Sequence, residues 1–433
     1  MKIRISTQKQ SLLVKNQFIE SEVFLLPNVI ERQEDILKLI SKLDISPTLY
    51  KNAEEKYKVL ADFLEDCGIS ADIYPQGSFA FGTVVRPSTD NKNANYDLDF
   101  ICQLHLTRDE IAPSVLRQKI EDALRSSDRY GGKLTKWNEC FTIEYADING
   151  VSFSVDIVPA VEEAEIKKNE LKRLSNLPYL INTSIAIPRE NGNRNYSWIT
   201  NNPKGYKSWF DSINAPFLSY GSAERRAVLF ENNRALFNSV DDIPSNLDRS
   251  SMQRVIQIMK YHRDNYYQML PRKDKDEIKP ISAIITTLVA EISKNAPASF
   301  DVFELLKYVL DKLEIYSKQQ TIAFTEFRRN YVNYTAITRE NGKWLIQNPA
   351  NPMDNLADKW NQNSDIPKIF FKWLSACQND LIQSMKLDDQ QFYVQMSNAF
   401  GSDVITRNWG HKYTISKPKP INPTSVAKPY KAL

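Results

Sequence analysis

Two short stretches hold the side chains best placed to do chemistry. "YPQGSFAFGTVVRP" (74–87) sets Gly77 and Ser78 in a tight turn, and "NYDLDF" (95–100) follows with Asp97 and Asp99. Side chains alternate between the faces of an extended chain, so Asp97 and Asp99 share one face while Tyr96, Leu98 and Phe100 take the other. Two carboxylates so placed repel each other, and unless one is protonated the usual relief is a divalent cation. A third, Asp156, lies in "VSFSVDIV" (151–158), on a polar face with Ser152 and Ser154 and opposite Val151, Phe153, Val155 and Ile157. If those strands are neighbours, three hard oxygen ligands converge, a set that suits Mg²⁺ and the phosphates it carries. Gly77 lets the backbone approach closely, and free N–H groups there, with the Ser78 hydroxyl, can hold phosphate oxygens. Each feature alone has a plainer reading: carboxylates on an exposed strand, or an ordinary corner between helix and strand. Their coincidence points to a site for metal and phosphate.

The elements around them follow from periodicity. "DISPTLYKNAEEKYKVLADFLEDCG" (44–68) is expected to be a helix capped by Ser46, with Pro47 in its first turn and Gly68 as its stop. Leu49, Ala53, Tyr57, Leu60 and Leu64 share one face of it. "FTIEY" (141–145) and "VSFSVDIV" alternate with period two around Asn149-Gly150, the pattern of a hairpin. Beyond about residue 210 the period is helical, in "SMQRVIQIMKYHRD" (251–264), "PISAIITTLVAEISK" (280–294), "VFELLKYVLDKL" (302–313) and "IPKIFFKWLSACQNDLIQ" (366–383). In the first, Lys260 falls at the margin of the Met252, Val255, Ile256, Met259 stripe. Arg263 falls nearer its middle and must find an anion. "NPKGY" (202–206) is read as an ordered loop near the lobe junction and "TRENGKWLIQNPANPMDNLADKW" (338–360) as a wetter loop. "SKPKPINPTSVAKPYKAL" (416–433) is read as a flexible tail.

A chain of 433 residues suggests two domains, or one core with a large lobe appended. A formal charge of only +3 argues against a protein that coats nucleic acid, while leaving room for a basic cleft. Cys67, Cys102, Cys140 and Cys377 are far apart and are read as buried, reduced thiols. With three histidines and no Cys/His cluster, structural zinc is not expected. No run has the length and apolarity of a signal peptide or membrane span, so the expectation is a cytoplasmic protein without a membrane partner.

The order Gly-Ser turn, Asp-x-Asp strand, later strand with a third Asp resembles the DNA polymerase beta-like nucleotidyltransferase superfamily. Within it, "PQGSFAFGTVVRP … YDLDFIC … VDIVPA" resembles the bacterial cGAS/DncV-like nucleotidyltransferases (CD-NTases) of anti-phage (CBASS) signalling. So do "NPKGYKSWF" (202–210), "QRVIQIMKYHRD" (253–264), "KPISAIITTL" (279–288) and "NPMDNLADKW" (351–360). One departure from minimal nucleotidyltransferases is the long interval between Ser78 and Asp97, filled by "RPSTDNKNAN".

The resemblance implies an α+β fold: a polymerase beta-like core of mixed sheet and helices, a C-terminal helical lobe, and an active site in the cleft between them. It divides the chain into 1–210, 211–412 and a tail, 413–433. It also implies attack of a ribose hydroxyl on the α-phosphate of a ribonucleoside triphosphate, ATP being expected among the substrates, to build a cyclic di- or trinucleotide. Asp97 and Asp99 would bridge two Mg²⁺ ions, for which Mn²⁺ may substitute, and Asp156 would bind the ion that activates the hydroxyl. Gln76, Gly77 and Ser78 would hold the donor triphosphate, with Lys260 as a second clamp and Ser282 as a further contact. With no zinc-binding insertion and a near-balanced charge, long DNA is not expected as an activator. An effector would bind the product rather than this chain, and a regulatory or conjugating partner might take the tail, although "YKAL" lacks a terminal glycine. Two alternatives stay open: a transferase acting on an RNA or protein acceptor, and a catalytically inactive nucleotide-binding module.

Overall fold

The computed structural model describes residues 27–86, 95–148, 151–220, 222–232, 234, 239–242, 245–410 and 412–413. The Asn149-Gly150 turn, most of the 86–95 interval and almost all of the tail lie outside these residues.

Helix α1 (Pro27–Leu43) is followed by α2 (Pro47–Asp66), where Ser46 Oγ accepts from Leu49 N–H and Ala53, Leu60 and Leu64 are buried, as their spacing requires. The chain then forms β1 (Ala71–Pro75), a short helix α3 (Gly77–Phe81), β2 (Asn95–Thr107) and α4 (Pro113–Ser126). Next come β3 (Leu134–Lys136), β4 (Phe141–Ile148), β5 (Val151–Glu162), β6 (Ile185–Glu190) and β7 (Tyr196–Asn201). These seven strands make one mixed sheet in the order β1-β2-β5-β4-β3, with β6 paired to β5 and to β7. β2 and β5 run parallel, while β1–β2 and β4–β5 are antiparallel.

One face of the sheet is apolar. Tyr96, Leu98 and Phe100 of β2, with Val155 and Ile157 of β5, are buried against Leu60 and Leu64 of α2 and Leu116, Ile120 and Leu124 of α4. Burying each such side chain stabilises the fold by about 1.5–3 kcal/mol, and this fixes which face β2 leaves for its aspartates.

The helical half begins earlier than the loop reading of 202–206 implies. That stretch opens helix α5 (Pro203–Ser219), where Asn202 caps by accepting from Gly205 N–H and Pro203 takes the first turn. Tyr206, Trp209, Phe210, Ile213 and Phe217 form its buried face. α5 continues past residue 210, and Val29, Ile36, Leu39 and Ile40 of α1 join it in the core of the later helices.

Helix α6 (Ser251–Gln268) runs through the middle of that core, with α7 (Ser282–Ser293), α8 (Val302–Tyr316) and α9 (Asp365–Leu381) around it. A single apolar stripe was expected on α6, yet it is buried on nearly every side. Its polar residues therefore face protein partners: Arg254 Nη1 and the nearby Arg249 Nε donate to the buried carboxylate of Asp44 at 3.0 and 3.1 Å. The stretch read as a wet loop contains short strands at Thr338–Glu340, Lys343–Leu345, Gln347–Asn348 and Asn351–Asn355 and a helix at Asp358–Gln362.

All four cysteines are free thiols; Cys102 and Cys377 are buried as expected, Cys140 is half-buried and Cys67 is exposed. Among the described residues no helix is long and apolar enough to cross a membrane.

Candidate active site

The parallel register of β2 and β5 sets Asp99 directly opposite Asp156, and Asp97 opposite Ser154. Adjacent strands lie about 4.8 Å apart, so side chains paired in register on one face are close neighbours. Asp97 sits two residues before Asp99 on β2; its side chain lies outside the described residues. Asp156 is fixed from β4: Thr142, its cross-strand partner, donates its hydroxyl to Oδ1, and Cys140 Sγ lies 3.7 Å from Oδ2. Burial, and then the charge of Asp156, push the Cys140 thiol up to about 12, so it faces the carboxylate protonated, as a donor rather than a nucleophile.

The Gly-Ser turn is the start of α3, and it locks onto the same strand. Gln76 N–H donates to the Asp99 carbonyl at 2.8 Å. Gly77 has φ +63°, and a Cβ placed on it would lie 2.7 Å from Asp99 Oδ2. Glycine is therefore required twice, for a left-handed backbone and for close approach to a carboxylate.

Gln76, Gly77 and Ser78 line a cleft of about 310 Å³ whose other walls include Thr83, Lys260 and Ser282. The structure thus gathers residues from positions 76 to 282 around one space. Lys260 is not at a helix margin, as its place in the pattern implied, but only 6% exposed, with Nζ donating to the Thr83 carbonyl at 2.9 Å. Gln253 and Gln257, on the same side of α6, donate to the carbonyls of Phe81 and Val84, both at 2.8 Å. Spaced by four and three residues, the three side chains form a ladder that holds the segment after α3. Thr83 Oγ1 is buried beside this ladder without a hydrogen-bond partner.

Arg263 finds its anion in Asp264, to whose Oδ1 its Nε donates at 2.9 Å, and its Nη1 donates to Ser282 Oγ at 3.2 Å. Ser282 is the first residue of α7 and makes no side-chain cap; its hydroxyl is held at the cleft instead. Asn348 and Asp354 also line the cleft. They come from the stretch taken for a loop, and no local pattern ties them to a turn some 270 residues earlier.

Burial, and then the charge of Arg263, lower Lys260 from 10.5 to about 7. Between those values the unfolded chain binds more protons than the folded one, so stability rises with pH across that window, and the deficit is largest at or below pH 7. Lys260→Met is therefore expected to raise the melting temperature at pH 7. The net gain should be on the order of 1–3 kcal/mol once the lost bond to Thr83 is counted, shrinking towards zero near pH 10. Melts at pH 7 and 9.5 check the slope, and nucleotide turnover should fall in the same variant.

Among the described residues no three His, Cys, Asp or Glu side chains gather as a metal-binding group. The two carboxylates that are described nevertheless fit a hard divalent ion. They are oxygen donors, they face each other in register, and the space beside Asp99 is kept clear by a glycine.

Residues 31–175 match the family described as the Second Messenger Oligonucleotide or Dinucleotide Synthetase domain. The chain is 22% identical over 379 residues to a c-di-GMP synthase of Roseivirga ehrenbergii, covering 86% of this chain and 84% of that protein. Its fold is similar to that of the CD-NTase CdnG of Bradyrhizobium diazoefficiens, solved with GTP, at a TM-score of 0.61 and 19% identity, covering 86% and 97% of the two chains. It is also similar to E. coli CdnC, solved with ATP, at a TM-score of 0.52 and 17% identity, covering 86% and 98%. The domain match, the relative and the fold each agree with the resemblance to the cGAS/DncV-like nucleotidyltransferases, the CD-NTases, that the sequence motifs suggest.

Proposed function

We propose that the chain is a Mg²⁺-dependent synthase that joins ribonucleoside triphosphates into a cyclic di- or trinucleotide second messenger. The observation that carries this reading is the placement of Asp99 opposite Asp156 with the Gly77 backbone pressed against Asp99. The domain description and the activity named for the Roseivirga relative support it.

In the reaction a ribose hydroxyl attacks the α-phosphorus, the bond to the bridging oxygen breaks, and pyrophosphate leaves. Asp97, Asp99 and Asp156 would hold two Mg²⁺ ions, which when bound supply Lewis-acid stabilisation of the phosphoryl oxygens and ease ionisation of the hydroxyl. The protein's own part is positioning. Asp156, steadied by Thr142, would accept the hydroxyl proton. The Gln76 side-chain amide, the Gly77 and Ser78 N–H groups and the Ser78 hydroxyl would offer donors to the triphosphate, and Lys260 and Ser282 would bear on it from the other wall of the cleft. We place this activity in the cytoplasm, in anti-phage signalling, with the product rather than the enzyme recognised downstream.

The test is incubation with all four ribonucleoside triphosphates and Mg²⁺ or Mn²⁺, then phosphatase treatment and mass spectrometry, with Asp97→Ala/Asp99→Ala as control. A phosphatase-resistant cyclic product that the double variant does not make is expected. Transfer of labelled nucleotide to added RNA or to protein, with no cyclic product, would overturn the reading.

A further inference from the structure

Trp137 stands at the head of the turn between β3 and β4 and is 58% exposed, so apolar burial gives little account of so large a side chain there. Its one polar side-chain atom is committed all the same: the indole Nε1–H donates to Thr142 Oγ1 at 2.9 Å. Thr142 in turn donates to Asp156 Oδ1, from the position directly across the β4–β5 pair. An indole N–H can only donate and an ionised carboxylate can only accept, so the relay has one polarity, from Trp137 through Thr142 to Asp156. Oγ1 is held from both sides, which fixes the χ1 rotamer of Thr142 together with its hydroxyl torsion.

The turn that carries Trp137 is held from three directions. Trp137 N–H donates to the Cys140 carbonyl at 3.0 Å, and Glu190 N–H of β6 donates to the Asn138 carbonyl at 2.9 Å. Arg117 of α4, only 1% exposed, lies over the Phe141 ring at 4.4 Å, and its Nη2 donates to the carbonyls of both Trp137 and Cys140. Cys140, at the far end of the same turn, meets Asp156 Oδ2 through its Sγ. One turn thus reaches both oxygens of this carboxylate, one directly and one through Thr142.

We infer that Trp137 is a positioning residue of the transfer reaction: acting through Thr142, it sets the direction in which Asp156 presents its oxygens. This role rests on the nucleotidyl-transfer reading above, in which Asp156 holds a divalent ion and accepts the hydroxyl proton. Groups that hydrogen-bond a metal-binding carboxylate orient it, and their loss costs about 10- to 100-fold in metal affinity or activity. Thr142 makes that contact itself. Trp137 stands one bond further out, so its share is smaller, about three- to tenfold.

The test reads the hydrogen bond first and the reaction second. The indole ¹⁵N–H resonances of the seven tryptophans are recorded on the full chain, that of Trp137 being the one missing in Trp137→Phe. It is expected to shift in Thr142→Val, and its exchange with solvent to quicken, because water replaces the lost acceptor. A resonance that stays in place in Thr142→Val would overturn the inference. Melting curves establish that the variants are folded. In the synthesis assay, Trp137→Phe should lower kcat about three- to tenfold with KM for triphosphate unchanged, and Thr142→Val about 10- to 100-fold. The double variant should be no slower than Thr142→Val alone, since Trp137 acts only through that hydroxyl, and Thr142→Ser, which keeps it, should recover most of the loss. Losses that multiply in the double variant would overturn the inference by showing a separate role for Trp137, and a raised KM in Trp137→Phe would do so by showing contact with substrate. If the resonance moves as expected and the wild type forms no product, it is the nucleotidyl-transfer reading that fails, and the role given to Trp137 falls with it.

Discussion

Asp99→Asn is expected to reduce formation of the cyclic product by about 10³-fold or more, with the melting temperature unchanged or slightly raised. The substitution is nearly isosteric, and the hydrogen bond that locks α3 to β2 runs from Gln76 N–H to the Asp99 main-chain carbonyl, so the scaffold survives it. What changes is charge. Asp99 faces Asp156 across the β2–β5 pair, and removing one of two like charges relieves their repulsion while depriving a divalent ion of its ligand. Asp156→Asn should do the same, since an amide oxygen can still accept from Thr142. The double variant should be little worse than either single one, because residues acting as a unit are not additive. Rates with GTP and ATP supplied together, followed by product mass and paired with thermal melts, check both halves of the expectation. Activity within tenfold of wild type in either single variant would remove that carboxylate from the mechanism.

Gly77→Ala is expected to lower kcat/KM about 100-fold at a stability cost of about 1–2 kcal/mol. Two effects combine: the left-handed backbone at φ +63° disfavours any side chain, and the new methyl group would meet Asp99 Oδ2 at 2.7 Å and displace it. Gly68→Ala separates them. Gly68 has a similar φ of +74°, but a Cβ there meets nothing within 4 Å. It should therefore cost comparable stability with activity retained. Equal activity losses in the two variants would mean that Gly77 matters for folding alone.

The candidate site was legible in the sequence wherever a period converts directly into a face. Asp97, Asp99 and Asp156 were separable from their apolar neighbours because strand alternation forces opposite faces, and Ser46 was legible as a cap because its partner lies three residues away. The pairing that makes a site of them was not. That β2 lies beside β5, in parallel and with Asp99 opposite Asp156, is a long-range contact with no local trace. Lys260 reads as the margin of the α6 stripe, and Gln253 and Gln257 give no signal, because the acceptors of all three are main-chain carbonyls of Thr83, Phe81 and Val84, which no side-chain pattern displays. Asn202 and Pro203 are a helix start, the cap and first turn of α5, which the loop reading of 202–206 passes over. Asn348 and Asp354 sit on strands too short for period two to emerge.

The ladder from α6 has a kinetic consequence. It fastens the segment behind the Gly77-Ser78 turn to the middle of the later helices, and the Asp44 ion pairs fasten the start of α2 to the same region. A joint bolted at both ends does not act as a hinge. A synthase of the kind proposed, which must use one site more than once, then repositions its half-made product by releasing it rather than by opening around it. A released linear intermediate mixes with bulk solvent and competes with fresh triphosphate for re-entry. Ring closure would accordingly slow as the enzyme is diluted and as triphosphate is raised, and unlabelled linear intermediate added midway would appear in the finished ring.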